Sequence, residues 1–255
     1  MPVQASSSSL LIRYAERPEA RLRVLCFPHA GGGASTFASL NRALPSDVEV
    51  CALQLPGRGT RRQEPPIVEM AELMEALGGE LGAHEDRRLV LFGYSLGALI
   101  AFEYARALRT QGARPPVRLL VSAARAPHRR IVGRTKLGQL PSGEFVREMR
   151  RRYDGIPEAI LKAPSALEYF LPVLRADVQL VESYRYAPEA PLECPIFAFG
   201  GDTDPRVPPG ELEHWSVHTR SAFESQVFSG GHFFIQSDRR TYLAAVHDAI
   251  AGIVA

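Results

Sequence analysis

Ser95 lies in Gly93-Tyr94-Ser95-Leu96-Gly97, directly after the apolar run RLVLF and at the start of a stretch with helical spacing over 96–112. A serine in a glycine-flanked turn between strand and helix is the setting of a nucleophile elbow. The turn is too tight for side chains beside the nucleophile and needs unusual backbone angles, which is why glycines flank it. A serine hydroxyl needs a base, and the base needs an orienting acid; with this elbow the chain order is serine, acid, histidine. The sequence supplies them in that order. Asp202 and Asp204 follow the run PIFAFG, and His232 stands in FSGGHFF at 228–234, where a loop can aim its imidazole back at the elbow. Both aspartates are carboxylates of one loop, so residue chemistry leaves the choice between them open. The one not used is a turn or helix-capping residue.

Acyl transfer through such a serine passes through a tetrahedral oxyanion, which backbone N–H donors must meet at roughly 3 kcal/mol each. Two donors can be nominated. The amide of Leu96 follows the nucleophile at a helix N-terminus, and Ala30 lies in Phe27-Pro28-His29-Ala30-Gly31-Gly32-Gly33 after the first long strand. This glycine-rich stretch matches neither GxGxxG nor GxxxxGK[ST], so a phosphate loop is disfavoured. His29 reads as a positioning or packing residue. His214 and His218 have the spacing of a helical metal pair, but the glutamate, Glu213, precedes them rather than lying between them, and they read as helix-surface residues.

The elements that must position these groups alternate along the chain. Apolar runs at 22–28, 48–55, 88–94, 117–123 and 195–201 fit strands buried on both faces. Helical patterns at 70–81, 95–112 and 241–255 lie between and after them. Alternation of this kind implies a mostly parallel sheet with helices on both faces, and together with the elbow it gives an α/β-hydrolase fold. The rhythm breaks between about 126 and 190, where helix-like pieces follow one another without a strand. We read a single domain over 1–255, with that segment inserted between strands.

Composition narrows the partners. The 255 residues carry 30 Lys+Arg against 28 Asp+Glu, a formal charge of +2, which gives no general attraction to nucleic acid or membrane. No basic segment leads into a sustained apolar stretch, and no run of about 18 apolar residues occurs, so the expected location is the cytoplasm. Cys26, Cys51 and Cys194 lie in apolar runs and read as reduced core thiols; neither a disulfide nor a metal site is expected. Residues 125–152 hold nine Arg or Lys against Glu144 and Glu148, which is either a docking face or a solvated basic surface.

Taken together, FPHAGGGAS at 27–35, LPGRG at 55–59, FGYSLGA at 92–98, FLPVLRAD at 170–177 with Tyr184-Arg185-Tyr186, and GGHFF at 230–234 resemble type II thioesterases, the editing enzymes of polyketide and nonribosomal peptide synthases. The resemblance covers about 20–250. It implies that Ser95 and His232 are triad members, that Asp204 rather than Asp202 is the acid, and that 126–190 forms a helical lid. It also implies acyl groups delivered on the phosphopantetheine arm of acyl or peptidyl carrier proteins, with no cofactor of the enzyme's own. Lid residues Phe145, Tyr169, Phe170 and Leu171 line an acyl channel or simply pack. Two rivals remain at this level: a small-molecule carboxylesterase or lipase with the same triad, and a hydrolase fold kept as a non-catalytic binding protein.

Overall fold

The computed structural model describes residues 9–79, 86–129, 136–153 and 156–253. Seven strands, β1 (Leu11–Arg13), β2 (Leu22–Phe27), β3 (Val48–Leu53), β4 (Arg88–Tyr94), β5 (Arg118–Ser122), β6 (Ile196–Gly201) and β7 (Phe223–Phe228), form one sheet in the order β1-β3-β2-β4-β5-β6-β7. All neighbours run parallel except β1, which pairs antiparallel with β3. The five apolar runs are thus the five inner strands, and every residue of β2 and β3 is buried. Continuous hydrophobic runs rather than alternating ones are what a sheet covered on both faces demands.

The helices are α1 (Ala38–Ala43), α2 (Met70–Gly78), α3 (Leu96–Thr110), α4 (Ser142–Tyr153), α5 (Glu158–Leu161), α6 (Pro164–Ser183), α7 (Phe234–Ser237) and α8 (Arg239–Ala251). Helices α2 and α3 share one core with one face of the sheet, through Leu73, Leu77, Ile100, Tyr104 and Leu108. On the opposite face α1 and α8 pack through Leu40, Tyr242, Val246 and Ile250. Each such Leu, Ile or Val side chain stabilises the fold by roughly 1.5–3 kcal/mol on full burial.

Between β5 and β6 the chain makes three helices and no strand among the described residues. Phe145 and Met149, four apart on α4, face Leu174 and Val178, four apart on α6, in a separate small core with Leu137. Pro164 opens α6, where its missing N–H costs nothing, whereas Pro172 removes a ladder bond from the helix interior on its exposed side. Among the described residues no helix is long and apolar enough to cross a membrane.

Candidate active site

β2 and β4 are adjacent, with Phe27 in register with Gly93, so the loop at 28–33 and the elbow at 94–96 leave the sheet side by side at its carboxyl edge. The elbow is strained. Ser95 has φ 55° and ψ −113°, an arrangement costing an L-residue on the order of 1–3 kcal/mol. Its N–H bonds the carbonyl of Ser122 on β5 at 2.8 Å, and α3 starts at the next residue. A side chain at Gly93 would strike the backbone of Gly97 and Ala98, and one at Gly97 would strike the carbonyl of Phe27. Both glycines are therefore fixed by close backbone approach, not by turn propensity alone.

His232 Nε2 lies 2.9 Å from Ser95 Oγ, and His232 Nδ1 lies 2.8 Å from Asp204 Oδ2. Because a carboxylate only accepts, Nδ1 carries the proton, and in the neutral ring Nε2 is left to accept from the serine hydroxyl. Burial pushes the Asp204 carboxyl up, but the hydrogen bond and charge of His232 and the N–H groups of Arg206 and Val207 outweigh it and hold the group below its ordinary value. Those two amides meet Oδ1 at 2.8 and 3.2 Å, which leaves Oδ2 for the histidine. Asp202 is exposed and points elsewhere: its Oδ1 accepts the N–H of Gly230 at 2.8 Å, tying the β6 loop to the loop that carries His232.

Ala30 and Leu96 both border the cavity that opens above Ser95, and among the described residues neither backbone N–H has a hydrogen-bond acceptor in the protein. Leu96 is the first residue of α3, where the helix itself provides no acceptor. The site thus presents two unused donors beside a serine bonded to a buried histidine.

His29, read from the sequence as a positioning or packing residue, and three residues that the sequence did not single out, Tyr94, Tyr153 and Arg206, complete the arrangement. Tyr94, fully buried, donates its hydroxyl to the carbonyl of His232 at 2.6 Å, and burial raises its pKa far above the phenol range. Its ring stacks on Phe233 at 6.3 Å. His29 packs edge-on against Phe233 at 5.1 Å, and its Nδ1 lies 2.9 Å from the carbonyl of Ala30, to which it donates. Burial keeps this imidazole below its ordinary pKa, so it stays neutral beside the site. From the insertion, Tyr153 sets its ring against that of His232 at 5.4 Å, and the Arg206 guanidinium lies over Tyr153 at 5.3 Å.

The cavity measures about 250 Å³. Leu99, Met149, Leu174, Val178 and Val181 make its apolar wall, while five cations, Arg125, Lys136, Arg152, Arg185 and Arg206, border it with one carboxylate, Glu182. The four aromatic and aliphatic insertion residues expected to line a channel or pack do not border it: Phe145 is in the small core, Tyr169 is exposed, and Phe170 and Leu171 pack against that core. His214 and His218 lie on a 3-10 segment at 209–218, not an α-helix. His218 departs from the surface reading, for it is buried and its Nε2 lies 2.8 Å from His128 Nδ1. The reason is non-local: Phe102 and Trp215 cover it, and His128 supplies its polar partner. Of the nine cations at 125–152, Arg130 and Arg134 fall outside the described residues. Arg125 and Arg129 pair with Glu211, Arg151 and Arg152 with Glu148, and Arg150 with Glu158, so much of that charge is locally neutralised.

Comparison with known proteins decides the family. The thioesterase domain model matches residues 22–250. The chain belongs to the thioesterase family. It is 37% identical over 220 residues to the gramicidin S biosynthesis protein GrsT of Aneurinibacillus migulanus, covering 86% of this chain and 85% of the relative. Thioesterase PikA5 of Streptomyces venezuelae is 37% identical over 235 residues, covering 92% of this chain and 83% of that one. Among solved structures, the type II thioesterase BorB from the borrelidin biosynthetic cluster superimposes with a TM-score of 0.83 at 35% identity, over 96% of this chain and 97% of that one. The thioesterase is thus an enzyme of the α/β-hydrolase fold whose relatives belong to polyketide and nonribosomal peptide systems.

Proposed function

We propose that this thioesterase hydrolyses acyl groups from the phosphopantetheine arm of acyl or peptidyl carrier proteins and so removes aberrant or stalled units during polyketide or nonribosomal peptide assembly. The observation that carries the reading is the hydrogen-bonded series Ser95 Oγ, His232, Asp204, set under a cavity whose wall is apolar and whose border is cationic.

In the mechanism, His232 Nε2 takes the Ser95 proton as Oγ attacks the thioester carbonyl, and Asp204 steadies the resulting imidazolium. The oxyanion settles between the N–H groups of Ala30 and Leu96. Collapse breaks the carbon–sulfur bond, the imidazolium proton passes to the departing thiolate, and the acyl group stays on Oγ. Water then attacks with His232 again as base, releasing the acid and restoring the serine. Side chains, backbone and water supply every group, so the reaction calls on no cofactor.

The apolar wall suits an acyl chain, and Lys136, Arg185 and Arg206, which border the cavity outside the ion pairs of Arg125 with Glu211 and Arg152 with Glu148, suit the phosphate of the arm and the acidic surface of a carrier. Helices α4 and α6 give that wall Met149, Leu174, Val178 and Val181, and we assign the insertion at about 126–190 within a single domain as the lid of the chamber. The buried thiols Cys26, Cys51 and Cys194 are unpaired, in keeping with a reducing cytoplasmic setting.

The test compares acyl pantetheine with the matched oxygen ester and labels the protein with a fluorophosphonate. Faster thioester cleavage with labelling confined to Ser95 is expected. Preferential oxygen-ester cleavage would reassign the enzyme to the esterases, and binding without labelling would remove catalysis altogether.

A further inference from the structure

We propose that Asp177, on α6, is a positioning residue that holds the oxyanion loop in its working conformation, so that the Ala30 donor is aimed only while α6 is seated. This rests on the thioesterase reading above.

The bond between Ala30 and Gly31 is held at both ends: its carbonyl receives His29 Nδ1 at 2.9 Å, and its N–H donates to Asp177 Oδ2 at 2.7 Å. That plane adjoins, across the φ and ψ of Ala30, the peptide that carries the Ala30 N–H, and so restrains the direction of that donor. The turn is closed from within by the N–H of Gly32, which donates to the carbonyl of His29 at 2.9 Å, with Gly31 at φ +77°, a value glycine adopts readily. A second hold reaches the loop from outside, from a helix 146 residues away in sequence.

The carboxylate is itself clamped. Arg58 Nη1 and Nη2 each donate to one oxygen of Asp177 at 2.6 Å, and Nη1 also donates to the carbonyl of Gly32 at 2.8 Å. Both side chains are buried. The pair thus joins α6 to two successive residues of the loop, Asp177 to Gly31 and the planar fork of Arg58 to Gly32, a geometry that a lysine would not reproduce. The contact has an apolar half too. A Cβ placed on Gly31 would lie 2.6 Å from Phe170 and 3.3 Å from Leu174, so these rings and methyls press on the loop directly. Residues 170, 174 and 177 fall at i, i+4 and i+7, one stripe of the helix. Leu174 also walls the acyl chamber, so the helix that senses the chamber is the helix that sets the donor.

The experiment replaces the buried pair by apolar groups, which leaves no stranded charge, and then restores only the acceptor. In Asp177→Leu/Arg58→Met, kcat for acyl pantetheine is expected to fall by about 10- to 100-fold with KM within about twofold, since the lost contact serves the transition state. Affinity for an acyl trifluoromethyl ketone, which forms an oxyanion on Ser95, falls with kcat, whereas affinity for the amide analogue of the substrate does not. In Asp177→Asn/Arg58→Met an amide oxygen again faces Gly31, and kcat recovers. Equal kcat in both doubles, or a loss confined to KM, would overturn the proposal. If the Leu double does not fold, Asp177→Ala/Arg58→Met, smaller and equally without an acceptor for Gly31, is read for the same split of kcat from KM, and unchanged kcat there overturns it. Wild-type protein that leaves acyl pantetheine intact would contradict the thioesterase reading instead.

Discussion

The hydroxyl of Tyr94 donates to the carbonyl of His232 at 2.6 Å, so the residue before Ser95 holds the backbone of His232. Ser95 and His232 are 137 positions apart, and this buried bond, beside their own, sets their separation. Tyr94→Phe keeps the ring but leaves that buried carbonyl unpaired, at a cost of about 1–3 kcal/mol. We expect a lower Tm and a kcat reduced about tenfold at unchanged KM, measured on acyl pantetheine. Wild-type kcat would show that Phe233 and Phe234 hold the loop without the hydroxyl.

The two aspartates of the β6 loop should separate cleanly in kinetics. Asp204→Asn keeps the shape but favours the wrong histidine tautomer, and by the behaviour of other triads should cost about 10⁴ in turnover. Asp202→Asn only weakens the tie to Gly230 and should cost less than about tenfold. A larger loss at Asp202 than at Asp204 would reverse the assignment.

The pair His128 and His218 makes stability depend on pH. Burial, then the nearby charges of His128 and Arg106, push His218 from 6.5 down to about 4, and burial lowers His128 as well. The unfolded chain therefore binds protons between about pH 6.5 and 4 that the folded chain does not, so stability is full above this window and falls as pH drops through it. Denaturant melts across that range should show the decline, and His218→Phe, set among Phe102 and Trp215, should flatten it. An unchanged slope in the variant would place the titration elsewhere.

Chain-length preference follows from the wall of the chamber. Val178→Phe projects a ring into a space of about 250 Å³ beside Leu174 and Met149. We expect kcat/KM for an octanoyl thioester to fall about tenfold more than for an acetyl thioester, within the 1–3 kcal/mol that pocket fit commands. Equal losses on the two substrates would mean that long chains leave by another route.

What the sequence made legible divides along physical lines. The five inner strands appear as continuous apolar runs because both of their faces are covered, and each falls within a residue or two of its expected span. Strand β1 has only Leu11–Arg13 and lies at the edge, too short to show a period. β7 exposes most of FESQVF, so little hydrophobic signal marks it. At the site, Ser95 is announced by its glycines and Ala30 by its loop. Asp202 and Asp204 look alike until the backbone turns one toward His232 and the other toward Gly230. The bonds of Arg58 with Asp177 and of His128 with His218 join residues 119 and 90 positions apart, and no local pattern carries either. The motifs LPGRG and FLPVLRAD contain Arg58 and Asp177, yet only their meeting in space explains both.

The most direct measurement is the unloading of a short acyl group from a phosphopantetheinylated carrier protein, followed by intact mass, with Ser95→Ala alongside. The account predicts that the wild-type enzyme returns the carrier to its free thiol, that the variant leaves it acylated, and that the same acyl group on free pantetheine is cleaved more slowly. A carrier that stays loaded while free esters are cleaved would contradict it.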